Sequence, residues 1–177
     1  MSRFSDYQRE VGALGLSKEE ILTRYLSGAD LLWSAIDGLT TDDLGLTRAP
    51  KKWTIRQYIH HIVADDRAAT ACIEAAICQP DNKCSLEWYD FQSWAEVMER
   101  ARCPVGPAIE ALSAERRYVT ALLSGLPDAW DRIVSFVLPG KSNWIELTVG
   151  GLVLGWSVCH LGWHIKHIQE TRRVCGL

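Results

Sequence analysis

What this chain lacks narrows its biochemistry first. None of the six cysteines (Cys72, Cys78, Cys84, Cys103, Cys159 and Cys175) stands in a C-x-x-C pair, and the opening residues MSRFSDYQREVG have no apolar signal core. Reduced thiols and a cytoplasmic location are therefore expected. Basic doublets (Lys51-Lys52, Arg116-Arg117, Arg172-Arg173) are scattered rather than clustered, and the formal net charge is −3 with a pI of about 5.9. No electrostatic footprint for nucleic acid results. With 13 glycines, 6 prolines and no internal repeat, the chain is neither collagen-like nor of low complexity. Only one apolar run, Leu147 to Ile165, reaches membrane-spanning length; it carries His160 and His164, and it reads as a buried core helix, with no membrane partner expected.

What is present suits one compact domain. At 177 residues, with 47% hydrophobic and 23% charged residues, the chain can bury about two-thirds of its unfolded surface. Residues 1–177 form a single expected domain, with 1–16 as an N-terminal extension. Ser17 followed by early acids and apolar residues at helical spacing predicts a first helix from Lys18 to Asp37. Thr54 to Gln57 forms a capping-box pattern that opens a second helix over Ile55 to Cys78. The stretch from Gln79 to Pro107 holds Trp88, Tyr89, Phe91 and Trp94 among turn residues and reads as a long connection packed over the core. A third helix is expected over Ala108 to Leu123, an extended segment at Arg132 to Val137, and a fourth helix from Thr148 to Val174. The fold class is all-α, a four-helix bundle with short extended decorations.

All five histidines fall in two tight clusters: His60 and His61 on the second helix, and His160, His164 and His167 on the fourth. At about 100° per residue, His160 and His164 stand about 40° apart and His167 about 20° from His160, so the three share one face. An i, i+4 histidine pair can hold a divalent cation, and neutral imidazole suits Zn, Ni or Fe. The plainer alternative is that these are hydrogen-bonded polar residues at a helix interface. Either His60 or His61 could supply a third ligand; adjacent helical positions point about 100° apart, and periodicity does not choose between them.

The runs WTIRQYIHHIVADD (Trp53 to Asp66), WYDFQSWAE (Trp88 to Glu96) and CHLGWHIKHI (Cys159 to Ile168) stand in the order found in the DinB superfamily, and the chain most closely resembles its YfiT-like branch. The resemblance implies a four-helix bundle, often a homodimer, that carries a divalent metal on three histidines. The first implied ligand is the histidine eight residues after the motif tryptophan, which is His61. The others are matched by His160 and His164, leaving His60 and His167 as neighbours. Where family members commonly have two adjacent histidines in the last motif, Trp163 stands beside His164, a bulky ring that could narrow the cavity.

Among other candidates, Asp65 lies one turn after His61, placed to orient that ligand or to act catalytically as a proton acceptor; its alternative is a solvated acid or a partner for Arg67 or Arg56. Glu146 could serve similarly or complement the last helix's dipole. Gly150, Gly151 and Gly155 read as packing positions, and Cys159 as a small apolar residue rather than a nucleophile. Trp33, Trp94, Trp156 and Trp163 are most simply core. The resemblance leans toward an enzyme joining a low-molecular-weight thiol to an electrophile. A metal-dependent hydrolase and a non-catalytic metal- or ligand-binding bundle are the alternatives.

Overall fold

The computed structural model describes residues 15–177. Most of the expected extension at 1–16 lies outside them. Ser17 caps helix α1 (Lys18–Leu26) through a capping box with Glu20. The expected first helix does not run on to Asp37: the chain breaks at Ser27 and restarts as α2 (Gly28–Ile36). Helix α3 (Ile55–Cys78) follows the expected bounds, opened by the Thr54–Gln57 capping box. The aromatic connection is more ordered than its turn residues suggest, because Asp90 caps a helix of its own, α4 (Phe91–Arg100), accepting from the backbone N–H groups of Gln92 and Ser93.

Helix α5 spans Gly106–Gly125, with Pro107 in its first turn. The last helix, α6, changes geometry twice along its length: Val149–Leu152 is α-helical, Val153–Cys159 is π-helical, and His160–Cys175 is α-helical again. Thr148 caps its start and left-handed Gly176 ends it. The pair α1–α2 with α3, α5 and α6 makes the four-helix bundle, and α4 packs against α3. Three short strands form a sheet in the order β1 (Lys83–Ser85), β2 (Ile133–Val137), β3 (Ile145–Thr148). β1 runs parallel to β2 with Cys84 opposite Phe136, and β2 pairs antiparallel with β3, with Val134 opposite Leu147.

Among the described residues the interior forms two apolar clusters. The first gathers Tyr25, Ala68, Cys72, Val119, Leu123, Phe136 and Trp156 at the sheet end. The second gathers Leu32, Ile55, Ile59, Leu112, Leu161 and Ile168. Between them a polar layer crosses the bundle, occupied by Asp65 and Asp66 of α3, Arg116 of α5 and Ser157 of α6, all buried. Charged groups survive there only by pairing. Among the tryptophans, only Trp156 of the four expected in the core is buried; Trp33, Trp94 and Trp163 are exposed, because each falls on the outward side of its amphipathic helix. No helix among the described residues is long and apolar enough to cross a membrane.

Candidate metal centre

The polar layer carries the site. His61 projects from the second turn of α3, and His160 and His164 from the first two turns of the α-helical part of α6. Their ring centroids lie 5.3 Å (His61 to His160), 4.9 Å (His61 to His164) and 4.3 Å (His160 to His164) apart. One nitrogen from each lies within 4.8 Å of the others. Nε2 of His160 and Nε2 of His164 are 2.8 Å apart, a distance at which two imidazoles share a proton.

Burial sets the protonation state. Desolvation lowers His61 to about 3 and His160 to about 4, in both cases far below an ordinary histidine. His164 is pushed lower still, by burial and then by the two neighbouring rings. All three are neutral at physiological pH, the form that binds metal. Three converging neutral imidazole donors suit a divalent cation and, as three protein ligands, would leave a coordination position open.

Asp65 completes the constellation. Its Oδ2 lies 3.1 Å from Nδ1 of His160 and 3.4 Å from Nε2 of His61. A carboxylate beside Nδ1 of His160 favours the proton on that nitrogen, which leaves the Nε2 lone pair facing His164. Burial pushes the Asp65 carboxyl well above the ordinary range, and a hydrogen bond from Trp156 partly offsets this. Neither Arg56 nor Arg67 is its partner: Arg56 bonds Glu99 and the Thr41 carbonyl, and Arg67 is exposed.

The two remaining histidines stand aside. His60 turns its Nε2 toward the Cys103 carbonyl at 3.3 Å. His167, one turn beyond His164, meets Arg48, which also pairs with Glu170 at 2.9 Å. Glu146 lies on β3, accepts from Ser135 Oγ and takes no part in the site.

Aromatic side chains wall the cluster. Trp53, just ahead of the α3 cap, meets His61 edge-on at 4.7 Å and lies nearly parallel to His164 at 6.2 Å. Tyr58 packs on His164 and His167, and Phe91 of α4 on His61. Trp163 leans against His160, His164 and His167 while remaining exposed, so it borders the site from the solvent side. Tyr58 and the Trp156 bond to Asp65 had no distinguishing sequence signal, since helical spacing marks both residues only as apolar positions, whereas Phe91 stood out only as part of the aromatic connection.

Residues 24–168 match the DinB superfamily. A Bacillus mycoides protein whose name proposes a metal-dependent hydrolase is 24% identical over 162 residues, covering 89% of this chain and 90% of that protein. Among solved structures, YfiT from Bacillus subtilis, described as a probable metal-dependent hydrolase with an unusual four-helix bundle topology, superposes with a TM-score of 0.75 at 23% identity, covering 92% of this chain and 91% of that one. That likeness establishes the shared fold.

Proposed function

The chain belongs to the DinB superfamily, and from that premise we propose that it is a divalent-metal-dependent enzyme that directs a small nucleophile onto an electrophilic substrate, with hydrolysis as its primary reaction. The observation that carries the proposal is the convergence of three neutral imidazoles beside a buried carboxylate. The descriptions of the Bacillus mycoides protein and of YfiT as metal-dependent hydrolases support the hydrolytic form.

His61, His160 and His164 are the proposed ligands. A divalent cation held by them would supply Lewis acidity, acidifying a water or thiol and polarising a carbonyl. Because all three donors are uncharged, the site keeps its full positive charge and favours anionic nucleophiles. Oδ2 of Asp65, facing both His160 and His61, is the proposed proton acceptor. Trp53, Tyr58 and Phe91 hold the ligand rings and keep bulk water from their flanks.

Transfer of a low-molecular-weight thiol to an electrophile is the second reading, supported by the same charge argument: a thiolate is as well matched to an uncharged donor set as hydroxide is. One experiment separates the two. Metal-loaded protein, metal-stripped protein and His160→Ala are assayed side by side for cleavage of ester and amide substrates, and for loss of small thiols with an aryl halide acceptor. Metal-dependent cleavage supports the hydrolase, and conjugation without cleavage moves the assignment to thiol transfer. Silence of fully loaded protein in both assays would turn the site into a binding module.

A further inference from the structure

Arg116 is wholly buried in the middle of the bundle, and nothing in the metal reading uses it. From α5 it reaches three other helices. Its Nε and Nη2 donate to the two oxygens of Asp66 on α3, at 2.7 and 2.8 Å. Nη1 donates to the Tyr25 carbonyl near the end of α1 at 2.7 Å, and Nη2 also to the Ser157 carbonyl of α6 at 2.8 Å. The guanidinium stacks over the Tyr25 ring at 4.6 Å.

Two features tie this grip to the histidines. Asp65 and Asp66 are consecutive on α3 and so point about 100° apart, one toward His160 and the other toward Arg116. Helix α3 therefore holds α6 at two nearby points, directly at His160 and through Arg116 at Ser157, three residues earlier. Moreover, Ser157 lies inside the π-helical segment, which ends at Cys159, immediately before His160. A π turn changes the rotational phase of everything beyond it, and such turns need outside support because they are rare in a free helix. The hydrogen bond to Ser157 supplies that support within the turn that decides where His160 points.

We infer that Arg116 is a positioning residue for the three-histidine site: by gripping Asp66 and the Ser157 carbonyl together, it fixes the π turn of α6 and with it the placement of His160 against Asp65. The planar fork makes four bonds at once, which a lysine ammonium cannot reproduce. Gly28, at the start of α2, belongs to the same device. A Cβ there would lie 1.9 Å from Nη1 of Arg116 and 2.8 Å from Cδ2 of Leu161, the residue after His160. The break between α1 and α2 thus leaves room for the guanidinium, and glycine keeps that room open.

The inference rests on the metal reading for its consequence but not for its test. Arg116→Lys and Gly28→Ala are compared with the parent by the imidazole proton–nitrogen signals of His160 in metal-free protein, with His60 as the internal control, and by zinc affinity in chelator competition. The expected result is displaced His160 signals, unmoved His60 signals, and zinc binding weakened by about 10- to 100-fold in protein that remains folded. Gly28→Ala retains every charge and every donor, so it carries the test alone if Arg116→Lys does not fold. Parent-like His160 signals and zinc affinity in folded Gly28→Ala or Arg116→Lys would overturn the inference. A parent that binds no zinc, with His160 still displaced in the variants, would sink the metal reading and leave the positioning role standing.

Discussion

Oδ2 of Asp65 lies 3.1 Å from Nδ1 of His160, close enough to fix which ring nitrogen carries the proton. Asparagine keeps an oxygen that can accept this bond but cannot take up a proton. Asp65→Asn is therefore expected to lower zinc affinity by no more than about tenfold, and to lower turnover on whichever substrate the parent accepts by about 10²- to 10⁴-fold. Chelator competition and steady-state rates on the same preparation check both. Full turnover in Asp65→Asn would remove the carboxylate from the mechanism.

Acidification tests the buried imidazoles. His61 and His160 titrate at about 3 and about 4 in the folded chain, against 6.5 for an ordinary histidine. The unfolded chain therefore takes up protons first as pH falls, so their contribution is complete above about pH 6.5 and is lost toward pH 4. Asp65 works in the opposite direction, because its raised pKa means that the folded carboxyl holds its proton longer on the way up. Glu115, also raised by burial, opposes the imidazoles in the same way, so in metal-free Asp65→Asn/Glu115→Gln, where both oppositions are gone, the urea midpoint should drop between pH 7 and pH 5. A midpoint that holds or rises would show that the imidazoles are not held neutral by burial.

Much of this architecture is written locally. Helix α3 begins and ends where its capping box and following Gln79-Pro80 place it, because those signals lie within a few residues of the boundary. The break at Ser27 is marked only by the Ser27-Gly28 dipeptide, and the sequence is silent on its cause: Ser27 keeps right-handed helical geometry, and the two helices part where Arg116 donates to the carbonyl of Tyr25, 91 residues before it. The π turn is equally silent, since the apolar run from Leu147 to Ile165 scans as one continuous helix. Helix α4 did announce itself, through Asp90 and Ser93 at its cap, but the density of aromatic and turn residues around Trp88 to Phe91 obscured it. At the site, periodicity alone left His60 and His61 equal; the family motif chose His61, and the fold turns His60 toward Cys103 instead. The exposed tryptophans show the opposite limit, since residue type predicts burial only on average.

The first, α-helical turn of α6 is packed tightly against Trp130. A Cβ on Gly150 would lie 2.4 Å from Cε2 of Trp130, so Gly150→Ala must displace a large ring. A loss of about 1–3 kcal/mol is expected by urea denaturation. Gly162→Ala is the matched control: its Cβ meets nothing within 4 Å, and it should gain up to about 1 kcal/mol from helix propensity alone. Equal effects at the two positions would contradict the packing described.

We propose homodimerisation on the family resemblance and on the aromatic surface left uncovered. Trp88 is 68% exposed, and Trp33, Trp94, Trp144 and Trp163 are exposed as well. Sedimentation equilibrium at tens of micromolar protein should return twice the 19.9 kDa chain mass. A single-chain mass there would set the proposal aside.

The central claim is that His61, His160 and His164 hold one divalent cation. It is tested most directly by elemental analysis of protein purified without a histidine tag, with each of the five histidines changed to alanine in turn. The account predicts about one equivalent of divalent metal in the parent, large losses in His61→Ala, His160→Ala and His164→Ala, and near-parent content in His60→Ala and His167→Ala. Metal retained in His61→Ala and lost in His60→Ala, or a parent that takes up none when supplied with zinc, nickel or iron, would contradict it.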